Sequence, residues 1–146
     1  MKSIIASILG VCCAILIGSL FMKQSGEVEM PVMNVLSNPK AFQLGAYKDI
    51  NVAQNQIDTV GGIMISDSNY YYVYYAILAD EANIERMTKY LNNKNIYYYI
   101  KDINANDVFL NELNRYEELM KDTTTDIAFM ELNKKILSIY GDNYEN

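Results

Sequence analysis

Hydrophobic and polar positions divide the chain into four stretches of different periodicity. Residues 3–22 carry no charged side chain, whereas residues 24–40 show no sustained period and contain both prolines. Residues 41–103 mix strand-like alternation with helical spacing, and residues 104–146 show helical spacing alone. These patterns predict a membrane anchor at residues 1–23, a linker at 24–40, a compact domain at 41–103 and a helical extension at 104–146.

The apolar run at the N-terminus is long enough to cross a membrane. As a helix, twenty residues span about 30 Å, the thickness of the hydrocarbon core. The α-amine and Lys2 at one end, against Lys23 at the other, favour an internal N-terminus and an extracytoplasmic C-terminal domain. We therefore expect a single-pass protein of the cell membrane. A cleaved signal peptide is the alternative, although its apolar core ordinarily has about 7–15 residues.

Between residues 41 and 103 the pattern predicts the element order β-α-β-β-α-β. "AFQLGAY" alternates as a strand, and the helical stretch after it ends at Gly61 and Gly62. "IMIS" and "YYYVYYAIL" are strands, Asp80 caps a second helix, and "IYYYIKDI" is the fourth strand. Two helices on one face of a four-stranded antiparallel sheet is the economical packing, an α+β fold with the opposite face uncovered.

Strand periodicity divides the tyrosines of this sheet between its two faces. Tyr71, Val73 and Tyr75 are predicted to face the helices, together with Tyr98 and Ile100 on the last strand. Exposed aromatic patches usually mark binding sites, although a skewed composition could also supply many tyrosines. The outward positions form the candidate binding face, with Lys101 beside them: Gln43, Tyr47, Tyr72, Tyr74, Tyr97 and Tyr99.

Composition argues against catalysis and against nucleic acid. The formal net charge of −6 opposes phosphate binding, and the chain has no histidine. Both cysteines, Cys12 and Cys13, lie in the apolar N-terminal run. The adjacent carboxylates Glu117–Glu118 and Asp80–Glu81 diverge by about 100° on a helix and are expected to be solvated. We therefore predict a non-enzymatic protein without a metal or cofactor.

Several short motifs resemble the SPOR domain, a peptidoglycan-binding module of bacterial division and sporulation proteins. The similarity extends from Phe42 to Lys101, and Tyr72 stands where many family members carry arginine. The family's first-strand pattern Q-x-G-(S/A)-(F/Y) is matched, as are the tyrosine, the first valine and the aromatic position of its third-strand pattern Y-(R)-V-(aromatic or R)-V. An acidic residue with alanine at the start of the next helix is matched too. The matching residues are Gln43, Gly45, Ala46, Tyr47, Tyr71, Val73, Tyr74, Glu81 and Ala82.

This resemblance implies an RNP-like, ferredoxin-like fold whose open sheet face binds glycan strands stripped of their stem peptides. Sugar C–H faces stack on phenol rings, and sugar hydroxyl and N-acetyl groups hydrogen-bond to amides. The expected function is that of a membrane-anchored, non-enzymatic peptidoglycan-binding protein of the cell envelope, in cell division or sporulation. The alternative is an envelope adaptor that binds other proteins through this domain or its C-terminal helices.

The acidic C-terminal stretch predicts a helical hairpin. Its apolar stripes either pack against the rest of the protein or dock a protein partner, and a hairpin lying over the open sheet face would exclude glycan binding there. The second helix is expected to end at Gly141. The stripes consist of Phe109, Leu113, Tyr116 and Met120 in the first helix and Phe129, Leu132, Ile136 and Ile139 or Tyr140 in the second.

Overall fold

The computed structural model describes residues 38–144. In this range the predicted order β-α-β-β-α-β, followed by two helices, is confirmed. None of the helices in residues 38–144 has the length and apolar character needed to cross a bilayer. The predicted anchor at 1–23 and the linker up to residue 37 lie outside the described residues. The elements are β1 (Lys40–Tyr47), α1 (Ile50–Val60), β2 (Ile63–Asp67), β3 (Tyr70–Leu78), α2 (Glu81–Asn93), β4 (Tyr99–Asp102), α3 (Asp107–Lys121) and α4 (Asp126–Tyr144).

The four strands form one antiparallel sheet in the order β2-β3-β1-β4. β3 is a central strand, and it is buried from Val73 to Leu78, as its run of branched and aromatic residues favours. β4 is a short strand at the sheet edge whose residues are all exposed. It pairs with β1 only over Tyr99–Asp102, so the predicted strand from Ile96 is shorter than expected.

The first two helices lie on the side of the sheet that carries Tyr71, Val73 and Tyr75. Ile50 at the start of α1 borders a surface hollow together with Tyr71 of β3. Burial, followed by the nearby Tyr90 of α2, raises the pKa of Tyr75. Each helix begins at an aspartate whose carboxylate accepts backbone N–H groups, as predicted for Asp80.

Gly61 and Gly62 end α1 in a conformation that other residues rarely adopt. Their φ angles are +97° and +113°, in the region that favours glycine. A Cβ atom at Gly62 would lie 2.5 Å from the carbonyl oxygen of Tyr74. The glycine pair therefore allows the chain to turn directly from α1 into β2, close against β3.

The C-terminal hairpin shares one hydrophobic core with the sheet. α3 and α4 pack against each other, and α4 also contacts β3 and β2. Asn133 of α4 donates a hydrogen bond of 2.9 Å from Nδ2 to the carbonyl oxygen of Tyr75. The apolar stripes of α3 and α4 therefore pack against the rest of the protein, the first of the two alternatives. The buried hairpin residues of the core are Phe109, Leu113, Met120, Phe129, Ile136, Leu137 and Tyr140.

Two sequence-based expectations for the hairpin are wrong. α4 does not end at Gly141 but continues to Tyr144, and a Cβ atom at Gly141 would lie 4.0 Å from Cδ1 of Ile63 on β2. Glu117 is not solvated but only 1% exposed. Both departures have one cause: the hairpin packs closely on distant parts of the chain, which the local sequence pattern does not encode.

Glu117 joins α3 to the end of β3. Its Oε1 accepts hydrogen bonds of 2.9 Å from the backbone N–H groups of Ala79 and Asp80. The side-chain amide of Asn83 in turn donates to the carbonyl oxygen of Glu117 at 3.1 Å. Desolvation by burial raises the pKa of the Glu117 carboxyl. The buried carboxylate therefore satisfies two backbone donors that follow the last residue of a central strand.

Candidate functional site

The side of the sheet opposite α1 and α2 carries a row of tyrosines. The ring centroids of Tyr70 and Tyr72 lie 6.2 Å apart, and those of Tyr72 and Tyr74 lie 6.4 Å apart. The row continues into α4, where the ring of Tyr140 lies 6.3 Å from that of Tyr74. We call this side of the sheet the tyrosine face. The outward row of tyrosines that was predicted for β3 is thus present. α4, however, covers one half of the tyrosine face and leaves the other half open.

The covered half centres on Tyr74. Its side chain is 4% exposed because Tyr140 packs on it, with Phe109 of α3 behind at 5.0 Å from Tyr140. The expectation that this side of the sheet is uncovered is therefore wrong at Tyr74. The apolar stripes of α3 and α4 must be buried, and the tyrosine face offers them an apolar surface. Burial, followed by the nearby Tyr140, raises the pKa of Tyr74 to about 12.

The open half consists of Gln43, Tyr70, Tyr72 and Tyr99, which we call the open platform. Gln43 of β1 lies in register with Tyr99 on one side and with Tyr74 on the other. Tyr99 is 72% exposed, and Tyr72 and Gln43 are partly exposed. The platform therefore presents an amide and phenol rings to solvent on neighbouring strands.

Two lysines lie over rings of this platform. Nζ of Lys101 is 4.8 Å from the ring centroid of Tyr72, and Nζ of Lys48 is 5.8 Å from that of Tyr70. Both distances are within the range of a cation–π contact. Lys101 could be expected at the platform from strand alternation, because it is two residues after Tyr99. No local pattern indicated Lys48, which lies in the loop after β1.

Tyr47 does not join the platform. The pairing of β1 with β3 is irregular on both sides of Gln43, which interrupts the alternation of side chains. Tyr47 consequently pairs with Tyr71, a residue of the opposite face. Its ring lies against Gly45, where an added Cβ atom would be 2.5 Å from the Tyr47 hydroxyl oxygen. The predicted outward placement of Tyr47 beside Gln43 is wrong for this reason.

Tyr97 is the most exposed predicted site residue, at 92%, and it precedes β4 rather than lying in it. The next residue, Tyr98, packs on Phe42 with ring centroids 5.3 Å apart. Among residues 38–144, Tyr97 makes no ring contact with the open platform. The structure thus places Gln43, Tyr72 and Tyr99 on the open half of the tyrosine face. Tyr74 adjoins them but is covered by Tyr140, and Tyr47 and Tyr97 lie away from them.

The described residues hold no cluster of three or more side chains that could ligate a metal ion. A surface hollow of about 310 Å³ lies at the β2 edge, lined by Ile50, Met64, Ile65, Ser66, Tyr71 and Tyr144, without a carboxylate. The open platform offers phenol rings for stacking and an amide for hydrogen bonding. No protein-family model, curated protein or solved structure matches the chain.

Proposed function

We propose that this protein is a membrane-anchored, non-enzymatic peptidoglycan-binding protein of the cell envelope, acting in cell division or sporulation. Residues 1–23 would anchor it in the membrane with the domain outside the cytoplasm. The ligand is a glycan strand without stem peptides, bound at the open platform. The domain would then be an RNP-like, ferredoxin-like module of the SPOR type with an added helical hairpin.

The observation that carries this proposal is that Gln43, Tyr72 and Tyr99 lie on the open half of the tyrosine face, with Lys101 of β4 over the ring of Tyr72. Phenol rings offer flat apolar surfaces to the C–H faces of sugars, and they lose little conformational entropy on binding. The Gln43 amide can donate to and accept from sugar hydroxyl and N-acetyl groups. An amide beside the exposed phenol of Tyr99 and diagonal to the partly exposed phenol of Tyr72 suits recognition of a carbohydrate.

The strand order β2-β3-β1-β4 supports the fold assignment, since the β-α-β-β-α-β element order with all neighbours antiparallel is that of ferredoxin-like folds.

The covered half limits the proposed site, because Tyr74 cannot reach a ligand while Tyr140 packs on it. The glycan would therefore contact the open platform along β1 and β4. The adaptor alternative has less support, since the hairpin stripes it would use are buried.

Co-sedimentation with purified peptidoglycan tests the proposal. The full chain in detergent micelles is incubated with peptidoglycan before and after an amidase removes the stem peptides. We expect the protein to sediment with the stripped material only, because bound stem peptides would obstruct the approach of the sugar rings to the platform. Sedimentation with neither material would contradict the proposal.

Matched variants locate the site. Tyr72→Ala and Tyr99→Ala should each reduce sedimentation with stripped peptidoglycan roughly fivefold or more, because one stacked ring contributes about 1 kcal/mol. Tyr116→Ala is the control for Tyr72→Ala: Tyr116 is also partly exposed and also carries a cation over its ring, here Arg115 at 4.9 Å. An equal loss of sedimentation in the control and in the platform variants would show that the glycan does not bind at the platform.

A further inference from the structure

Most basic side chains of residues 38–144 pair with a carboxylate, but the two lysines at the open platform do not. The paired residues are Lys40, Arg86, Lys89, Arg115, Lys121 and Lys134. Lys48 and Lys101 instead lie over tyrosine rings. In a chain with a formal net charge of −6, ammonium groups left without a carboxylate partner on one face are notable.

Their acidic neighbours are engaged elsewhere. Asp102 follows Lys101 directly, yet its carboxylate pairs with Lys40 across the strands at 3.0 Å. Asp49 follows Lys48 directly, yet its carboxylate accepts the Asn51 N–H at 2.8 Å and caps α1. Within the described part of the chain, neither lysine is neutralised at short range, although each has an aspartate beside it in sequence. In residues 38–144 both ammonium groups therefore lack an ion-pair partner beside the platform rings, although Asp67 of β2 lies opposite Tyr70 in the sheet.

The cation–π contacts position the two ammonium groups over the rings but bind them only weakly. An exposed contact of this kind is weak, so an anionic group of a ligand can draw the ammonium group away from the ring. The ring then becomes available for stacking, while the ammonium group forms a charge-assisted hydrogen bond. The centroids of the two rings are 6.2 Å apart, so both lysines lie along one strip.

We propose that Lys48 and Lys101 make the open platform selective for a polysaccharide that carries carboxylates beside N-acetylated sugar rings. This inference rests on the proposed function and specifies its ligand. When an amidase releases a stem peptide, the lactyl group of each muramic acid residue keeps a free carboxylate. A denuded strand is thus an anionic polymer with one carboxylate per disaccharide, whereas a chitin chain of the same sugar type is neutral.

The test compares three ligands of equal length by titration calorimetry with the full chain in detergent micelles. They are denuded glycan fragments, the same fragments after conversion of their carboxylates to methyl amides, and chitin oligosaccharides. We expect the denuded fragments to bind more tightly than the amidated ones, by up to about 25-fold, since an exposed ion pair contributes up to about a factor of five for each of the two lysines. The difference should shrink as salt is added.

The double variant Lys48→Gln/Lys101→Gln should bind denuded and amidated fragments equally. Its control, Lys94→Gln/Lys135→Gln, makes the same change in net charge at two other lysines without a carboxylate partner in residues 38–144, one of which lies 5.9 Å over the ring of Tyr90. The control should keep the preference for denuded fragments. Loss of the preference in the control as well would overturn the assignment to the platform lysines.

The outcomes separate this inference from the proposed function. Equal binding of denuded and amidated fragments by the unmodified protein overturns the charge selectivity and leaves glycan binding standing. Binding of none of the three ligands overturns both. Competition by a glycerol phosphate polymer as strong as that by denuded fragments would show that charge alone is recognised, which also overturns the assignment of a carboxylated sugar polymer.

Discussion

Tyr74 and Tyr99 are given the same orientation by the same period-two argument, yet they end in opposite environments. Tyr74 is 4% exposed beneath Tyr140, whereas Tyr99 is 72% exposed. The covered and open halves of the tyrosine face are thus made of the same residue type on the same sheet. The difference comes from α3 and α4, which pack over one half only. Alternation assigns a residue to a face, but distant elements decide whether that face meets solvent.

The two halves therefore use tyrosine for different purposes. In the covered half the ring is a large apolar body that fills space between the sheet and the hairpin. In the open half the strands place the rings at the surface, where Lys101 and Lys48 lie over those of Tyr72 and Tyr70. If this distinction is correct, changes to the covered half should affect stability and changes to the open half should affect binding.

Removal of the hairpin should have the largest effect. Truncation after residue 103 takes seven buried side chains out of the common core. Burial of each large apolar side chain contributes roughly 1.5–3 kcal/mol, so their sum reaches the whole stability of an ordinary domain, about 5–15 kcal/mol. We expect a fragment of residues 38–103 to lack a cooperative thermal transition by circular dichroism. A fragment of residues 38–144 is the control. Cooperative melting of both fragments would show that α3 and α4 are not needed for the stability of the sheet.

Single tyrosine substitutions give the next largest effect. Tyr74→Ala should destabilise the protein by about 3 kcal/mol because it leaves a cavity beneath Tyr140. Tyr99→Ala should change stability by less than about 0.5 kcal/mol, since the ring is largely solvated. Urea denaturation followed by circular dichroism measures both. Equal stability losses in the two variants would contradict the division of the face into a covered and an open half.

The local elements of this fold could be predicted from the sequence, because caps and periodicity act over a few residues. Asp80 begins α2 and the glycine pair ends α1 as expected. The placement of Tyr47 could not be predicted, since the irregular pairing around Gln43 depends on how β1 meets β3. The cover over Tyr74 could not be predicted either, because amphipathic stripes show that a helix packs on something without showing on what. Of the six predicted site residues, Gln43, Tyr72 and Tyr99 therefore lie in the open platform, and Tyr47, Tyr74 and Tyr97 do not.

Glu117 provides the smallest and most specific test of the covered half. Burial raises the pKa of its carboxyl in the folded protein, while the N–H groups of Asp80 and Ala79 act in the opposite direction and the Asp80 carboxylate raises it further. Lys121 faces the same region but pairs with Asp80 at 2.8 Å. A group whose pKa is higher folded than unfolded stabilises most when protonated. Its contribution is therefore present below the unfolded pKa and is lost as the pH rises through the folded value.

Glu117→Gln keeps an oxygen acceptor for the N–H groups of Ala79 and Asp80 and removes this titration. At neutral pH the variant should be more stable than the unmodified protein, by a difference on the order of 1 kcal/mol, the size of a typical single polar change. The difference should decrease as the pH falls toward the unfolded value of a glutamate. Glu118→Gln makes the same change of charge at a neighbouring side chain that is 60% exposed, and it is the matched control. Urea denaturation across pH 4 to 8 measures both variants, and a Glu117→Gln advantage that grows on acidification would mean that the carboxylate stabilises the docked hairpin in its charged form.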